Sequence, residues 1–100
     1  MITSDQLRAA RALLGIDQRH LSQLCGLSVP TIWRMEASSG VIRGNVDSLL
    51  KLITALESAG IEFIGENAPS LEGGRGIRLT KAKALHPTYN PFALEPMQAA

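Results

Sequence analysis

Residues 18–36 read Gln18-Arg19-His20-Leu21-Ser22-Gln23-Leu24-Cys25-Gly26-Leu27-Ser28-Val29-Pro30-Thr31-Ile32-Trp33-Arg34-Met35-Glu36. Asp17, just before this stretch, and Ser28, within it, are N-cap residue types, whose side-chain oxygen accepts a backbone N–H of the first helical turn. Pro30 falls in the first turn after Ser28, where its missing N–H removes no intrahelical bond. The stretch therefore predicts two short helices. Leu21 and Leu24 point inward from the first, Ile32 and Met35 from the second. Cys25-Gly26-Leu27 reads as a tight turn between them, with Gly26 free to take positive φ. Helices joined this closely cross steeply and need a small side chain at the contact, which Ser22 supplies four residues before Gly26. Leu21, Leu27, Ile32 and Met35 fall where apolar residues fill the space between the pair. Together these spacings are those of a helix-turn-helix.

Working outward, Thr3-Ser4-Asp5-Gln6 fits a capping box, with Gln6 reaching back to the Thr3 backbone. Leu7, Ala10 and Leu14 then recur at helical spacing, and Gly15 ends that helix. Residues 37–44, Ala-Ser-Ser-Gly-Val-Ile-Arg-Gly, read as a loop. Asn45 caps a fourth helix, in which Val46, Leu49, Leu50, Ile53 and Leu56 are assigned to one face and Gly60 stops the run. The pattern changes at Ile61-Glu62-Phe63-Ile64, which reads as a short strand, with Gly76-Ile77-Arg78-Leu79 as its antiparallel partner. A two-stranded ribbon is marginal alone, so it should pack on the helices or pair with a second chain. From residue 80 onward Pro87, Pro91 and Pro96 interrupt any period, and the segment reads as a tail.

The expected organisation is thus a small all-α helix bundle over 1–60, a short C-terminal β-ribbon over 61–79 that is a possible dimerisation element, and a tail over 80–100. One hundred residues accommodate one such domain. No apolar run approaches the roughly 18 residues of a membrane span. Met1-Ile2-Thr3-Ser4-Asp5 lacks a basic start followed by an apolar core, so no secretory signal is read and a cytoplasmic location is expected. A single cysteine, Cys25, excludes an internal disulfide framework.

Net charge is only +1, but it is unevenly placed. Residues 1–45 hold five arginines (Arg8, Arg11, Arg19, Arg34, Arg43) and no lysine, against Asp5, Asp17 and Glu36. Residues 46–79 reverse the balance, with Lys51, Arg75 and Arg78 against five acids. Arginine suits bidentate contacts to phosphate or guanine.

Ala9-Ala10-Arg11-Ala12-Leu13-Leu14-Gly15, followed by Gln18, Leu21, Gly26, Ser28, Thr31-Ile32 and Glu36, resembles the Cro/C1-type (XRE family) helix-turn-helix domain over about residues 3–60. The Ile-Glu-Phe-Ile and Gly-Ile-Arg-Leu segments resemble the ending of a small bacterial subset of that family. Two departures stand out: Asp17 where the family often has Ser or Thr, and Val41 and Ile42 in a loop that is often polar. The resemblance implies a lambda-repressor-like bundle, a homodimer on a near-palindromic operator in double-stranded DNA, and transcriptional regulation, with repression expected. It also implies that Arg11 and Glu36, on helices that should face each other, form an internal ion pair that orients the recognition helix.

On this reading the third helix enters the major groove N-terminus first. Ser28, Val29 and Pro30 lie nearest the bases, where Val29 and Pro30 offer only apolar contact, for example to a thymine methyl. Arg34, one turn after Pro30, is placed to reach guanine O6 and N7, or alternatively a phosphate. Trp33 is assigned to DNA at the groove edge, the other reading being cover over a neighbouring loop. Backbone contacts are expected from Gln18, at the start of the second helix, and from Arg19, Thr31, Ser38, Ser39, Arg43 and Asn45. Such contacts position the protein and carry little sequence information.

Catalysis finds little support. His20 and Cys25 are five residues apart, about 140° around a helix, and diverge. His20, Cys25 and His86 are too few for a structural zinc site. Gly73-Gly74-Arg75-Gly76 does not open a helix as a phosphate loop would. No enzyme activity, metal or cofactor is expected. Two further readings stay open: an antitoxin whose tail binds a toxin partner, and an interaction module of the same fold that has lost DNA. Cys25 reads as a small core or turn residue, with a redox switch as the other possibility.

For dimerisation, the sequence suggests the side of the fourth helix bearing Leu52, Ala55 and Ala59, together with residues 61–64.

Overall fold

The computed structural model describes residues 2–80, so the tail expected over 80–100 lies outside it apart from Thr80, as does the toxin-binding role assigned to that tail. Four helices follow in order: α1 (Ser4–Leu14), α2 (Gln18–Cys25), α3 (Val29–Glu36) and α4 (Val46–Ser58). Each begins where its sequence carries a cap. Thr3 and Gln6 form the reciprocal capping box of α1, at 3.1 and 2.9 Å. Asp17, Ser28 and Asn45 accept the N–H of His20, Thr31 and Ser48 at α2, α3 and α4. Gly26 ends α2 at φ 74°, left-handed backbone that an L side chain rarely adopts.

The helices close on one core. α2 packs on both α3 and α4, and α1 packs on α3. Leu7 of α1, Leu21 of α2, Ile32 of α3 and Leu52 and Leu56 of α4 are fully buried at the shared centre. Leu14, Ile16 and Leu27 pack against this group.

Two assignments of facing are corrected. On α2 the inward partner of Leu21 is Cys25, and Leu24 is exposed. The contact stripe runs at i, i+4 rather than i, i+3, both of which the helix period allows. On α4 the buried row is Leu49, Leu52 and Leu56, while Val46 is 72% and Leu50 57% exposed. This helix is apolar over most of its circumference, so contact with α2, not periodicity, selects its inner row. Leu52, suggested above as part of a dimer surface, is therefore core.

The connection over 37–44 is a loop, but a pinned one. The Ser4 N–H donates to Gly40 O at 2.9 Å, the Ile42 N–H donates to Ile2 O at 3.1 Å, and Thr3 and Val41 form an isolated antiparallel bridge. This pairing turns Ile2 and Ile42 into the core, which accounts for an apolar pair in a loop.

No C-terminal ribbon is seen: among the described residues, 61–64 and 76–79 are not strands and do not pair within the chain. Ile61 and Phe63 pack instead against the helical core, and Gln6 Nε2 donates to Ile64 O at 3.0 Å. Burial on the bundle removes their need for a partner strand, and Ile77 is left 85% exposed. Side chains organise the rest of the segment. The Glu62 carboxylate accepts the Leu71 N–H at 2.8 Å and the Ser70 hydroxyl at 3.1 Å, and the backbone bond chiefly holds its carboxyl below the usual range. Arg78 donates to Ala68 O and Gly65 O at 2.6 and 3.1 Å. No helix among the described residues is long and apolar enough to cross a membrane.

Candidate nucleic-acid interface

At about 100° per residue, Val29, Trp33, Pro30 and Arg34 occupy one arc of α3 and Thr31, Met35, Ile32 and Glu36 the other. Burial follows that division: Ile32, Met35 and Glu36 are buried, and Ser28, Val29, Pro30, Trp33 and Arg34 are all exposed. Val29 is 37% and Trp33 60% exposed.

The buried arc is held by a charged clasp. Arg11 Nε donates to Glu36 Oε2 at 2.5 Å and Arg11 Nη2 to Oε1 at 2.8 Å, a bidentate pair linking α1 to α3. Gln18 Nε2, at the start of α2, adds a bond to Glu36 Oε1 at 3.1 Å. Arg11 Nη1 also donates to Ile16 O at 3.2 Å. One carboxylate thus ties three helices together. Burial acts to raise the Glu36 carboxyl. The hydrogen bonds from Arg11 and Gln18, and the charges of Arg11 and Arg8, outweigh it and hold the carboxyl below its ordinary value. The bond to Glu36 raises Arg11 in turn.

The C-terminal end of α3 is fixed as well. Arg8, which pairs with Asp5, donates from Nη1 to Glu36 O at 2.5 Å. A cation at the carbonyl end of a helix complements the helix dipole. The buried Ser4 hydroxyl donates to Ser38 O at 2.7 Å, and Ser38 Oγ donates back to Arg34 O at 3.1 Å. The turn into α3 is braced by Ser22 Oγ, which donates to Leu27 O at 2.5 Å. Ser22 is therefore a hydrogen-bonding strut as well as a small contact residue. Sequence reasoning did not assign Arg8 or Ser4 to this scaffold. The available signal was that both lie one turn apart on α1, on the side that also carries Arg11.

Among the residues expected to touch a ligand, several already have internal partners. Gln18 is turned toward Glu36, Asn45 caps α4, Ser38 binds Arg34 O, and Thr31 bonds to Ser28 and accepts from Arg34 Nη2 at 3.3 Å. Ser39, Arg19 and Arg43 are exposed. Of the five arginines over 1–45, Arg8 and Arg11 are paired with acids, while Arg19, Arg34 and Arg43 form no ion pair among the described residues. The positive excess of this half is therefore carried by the three that remain open. Cys25 is buried. No cluster of three His, Cys, Asp or Glu side chains among the described residues can hold a metal ion.

Comparison of the chain with protein-family profiles, curated proteins and solved structures finds no match.

Proposed function

We propose that this protein binds double-stranded DNA in a sequence-specific manner as a homodimer and regulates transcription, as a repressor, in the cytoplasm. One observation carries the reading: α3 is clamped at its C-terminal end and along its inner arc, while its N-terminal end and outer arc project free of the bundle. A helix so held is a rigid element of the width that the major groove admits. Its positive N-terminal end leads toward the polyanion. Val29, Pro30, Trp33 and Arg34 then face base edges, with Ser28 at the leading end. Arg19, Arg43 and Ser39, all exposed, are available to take phosphates. Gln18, Thr31, Ser38 and Asn45 serve these contacts mainly by shaping the helix ends that carry them. A two-fold dimer sets two α3 helices about 34 Å apart, one turn of B-DNA. Val46 and Leu50, the exposed apolar residues of α4, are the surface on that helix open to a partner.

Selection of bound duplexes from a random-sequence pool tests the reading. A near-palindromic site of two half-sites is the expected result, with affinity falling as salt rises at a slope of about −0.9 per neutralised phosphate. Failure to enrich any sequence, with weak and salt-insensitive binding, overturns it. A second reading, an interaction module without DNA, is favoured by the 60% exposure of Trp33 on a face with a single cation. That negative result selects it.

A further inference from the structure

Charge along the C-terminal part of the chain is segregated. Between Leu52 and Gly74 stand Glu57, Glu62, Glu66 and Glu72, with no Lys or Arg among them. Beyond Gly74 the order reverses: Arg75, Arg78, Lys81 and Lys83 follow, and no Asp or Glu occurs before Glu95. The acidic part is anchored. Ile61 and Phe63 pack on the helical core. The Glu62 carboxylate draws the chain back on itself by accepting the Ser70 hydroxyl and the Leu71 N–H, so the chain beyond residue 72 starts beside residue 62. A short relay leads from there to the loop over 37–44: Gln6 Nε2 donates to Ile64 O, Gln6 Oε1 accepts the Thr3 N–H, and Thr3 bridges to Val41. Ser39 and Arg43 stand on that loop. Residues 73–80, by contrast, are exposed and form neither helix nor strand. Arg75 makes no ion pair among the described residues, and Arg78 is held by the neutral carbonyls of Gly65 and Ala68, so neither charge is met by a carboxylate.

Resting on the DNA-binding role proposed above, we propose that Arg75, Arg78, Lys81 and Lys83 make a second, sequence-independent contact with DNA: a basic arm that takes the phosphates flanking the site held by α3. A polyanion is the occupant that the charge pattern fits, since a run of cations without an acid repels itself until counter-charge is supplied. The chain's own acidic stretch does not supply it, for none of Glu57, Glu66 and Glu72 pairs with Arg75 or Arg78. The arm is also rooted in a suitable place, because the Glu62 turn and the Gln6 relay set its start next to the loop that bears Ser39 and Arg43. Gly74 and Gly76 on either side of Arg75 add no side chain to hinder a close backbone approach. At no more than about 3.6 Å per residue, residues 73–83 reach about one turn of duplex beyond that root.

The test titrates the full-length protein with its selected duplex, extended by one turn of arbitrary sequence on each side, between about 50 and 200 mM salt. Arg75→Gln/Arg78→Gln/Lys81→Gln/Lys83→Gln is expected to keep the parent's helical circular dichroism and preferred sequence. Its salt slope falls by about 3–4 for each bound protomer, which across that range is about a hundredfold in affinity per arm. Trimming the flanks back to the selected site lowers the slope of the parent and leaves that of the variant unchanged. Lys51→Gln, which removes a cation already paired with Asp47, leaves the slope as it was. Arg75→Gln alone lowers it by about 0.9 per protomer and serves where the combined variant does not fold. The inference is overturned if parent and variant share one slope while the site is still selected; the DNA reading then stands alone. It is overturned equally if the variant's loss traces to monomers, seen by sedimentation without DNA, which assigns these cations to the acids of a second copy. If the parent enriches no duplex, the DNA reading and the inference fall together.

Discussion

Removing Arg11 should cost this protein more than neutralising Glu36, although the two form one ion pair. The asymmetry follows from burial. The Glu36 side chain is 6% exposed and that of Arg11 22%. In Arg11→Met the stem is kept, but Glu36 is left in the interior with the Gln18 amide as its remaining side-chain donor. Stranding one member of a buried pair costs about 3–5 kcal/mol, and losing an exposed pair about 0–1 kcal/mol. The partial exposure on the Arg11 side places Arg11→Met at about 2–3 kcal/mol. In Glu36→Gln the amide oxygen still accepts from the guanidinium, which reaches water and keeps Ile16 O, so about 1–2 kcal/mol is expected. The double variant Arg11→Met/Glu36→Gln buries no unpaired charge and should be more stable than Arg11→Met alone. Urea unfolding of the four proteins at pH 7 gives the cycle. For a domain of this size, each kcal/mol also moves Tm by about 4–8 °C. Equal costs for the two single variants, with a double variant equal to their sum within about 0.5 kcal/mol, would show that the carboxylate is not held as described.

The same carboxylate sets a pH dependence. Because Glu36 is held below its ordinary value when folded, its contribution is complete above about pH 4.3, the unfolded value, and is lost as pH falls through the folded one. Thermal scans from pH 7 to 3 should therefore show a smaller acid loss in Arg11→Met than in the parent, because burial, which raises Glu36, is no longer outweighed once the guanidinium is gone. Gly26→Ala should cost about 1–2 kcal/mol through backbone strain alone, since a Cβ there meets no atom within 4 Å; a much larger loss would point to a clash the fold does not contain. Leu52→Ala should cost about 2–5 kcal/mol and Leu50→Ala less than about 0.5 kcal/mol in monomer stability, and the reverse order would restore the facing of α4 expected from periodicity. Arg34→Ala should relax preference at one base pair by about 1–3 kcal/mol. Uniform weakening on all sequences would instead make Arg34 a phosphate contact.

Much of the bundle was readable from the chain because its signals are local. The capping residues Thr3, Asp17, Ser28 and Asn45, the stop at Gly15 and the turn at Gly26 each act within a few residues of themselves. They placed all four helices and the tight turn before α3. The outward arc of α3 was also legible, since Ile32 and Met35 define the inner side of so short a helix. The clasp at Glu36 was legible only in part. Resemblance suggests Arg11 as its partner, but Gln18 reads as a phosphate contact, and the one signal at Arg8 and Ser4, their place on the Arg11 side of α1, does not name a carbonyl about thirty residues away.

What the sequence alone could not decide is which of several equivalent apolar rows meets a neighbour. On α4, Val46, Leu50 and Leu52 are alike in hydropathy and differ only in direction. That choice belongs to the packing of α2 against α4, a contact between segments distant in the chain. The fate of 61–64 was settled in the same way. Its alternation is compatible with a strand, but Ile61 and Phe63 gain their burial from the helices, and a ladder with 76–79 has nothing left to bury. Local backbone chemistry therefore determined where each element begins and ends, whereas the choice of face required the whole fold, because burial is a property of the assembled surfaces and not of any one segment.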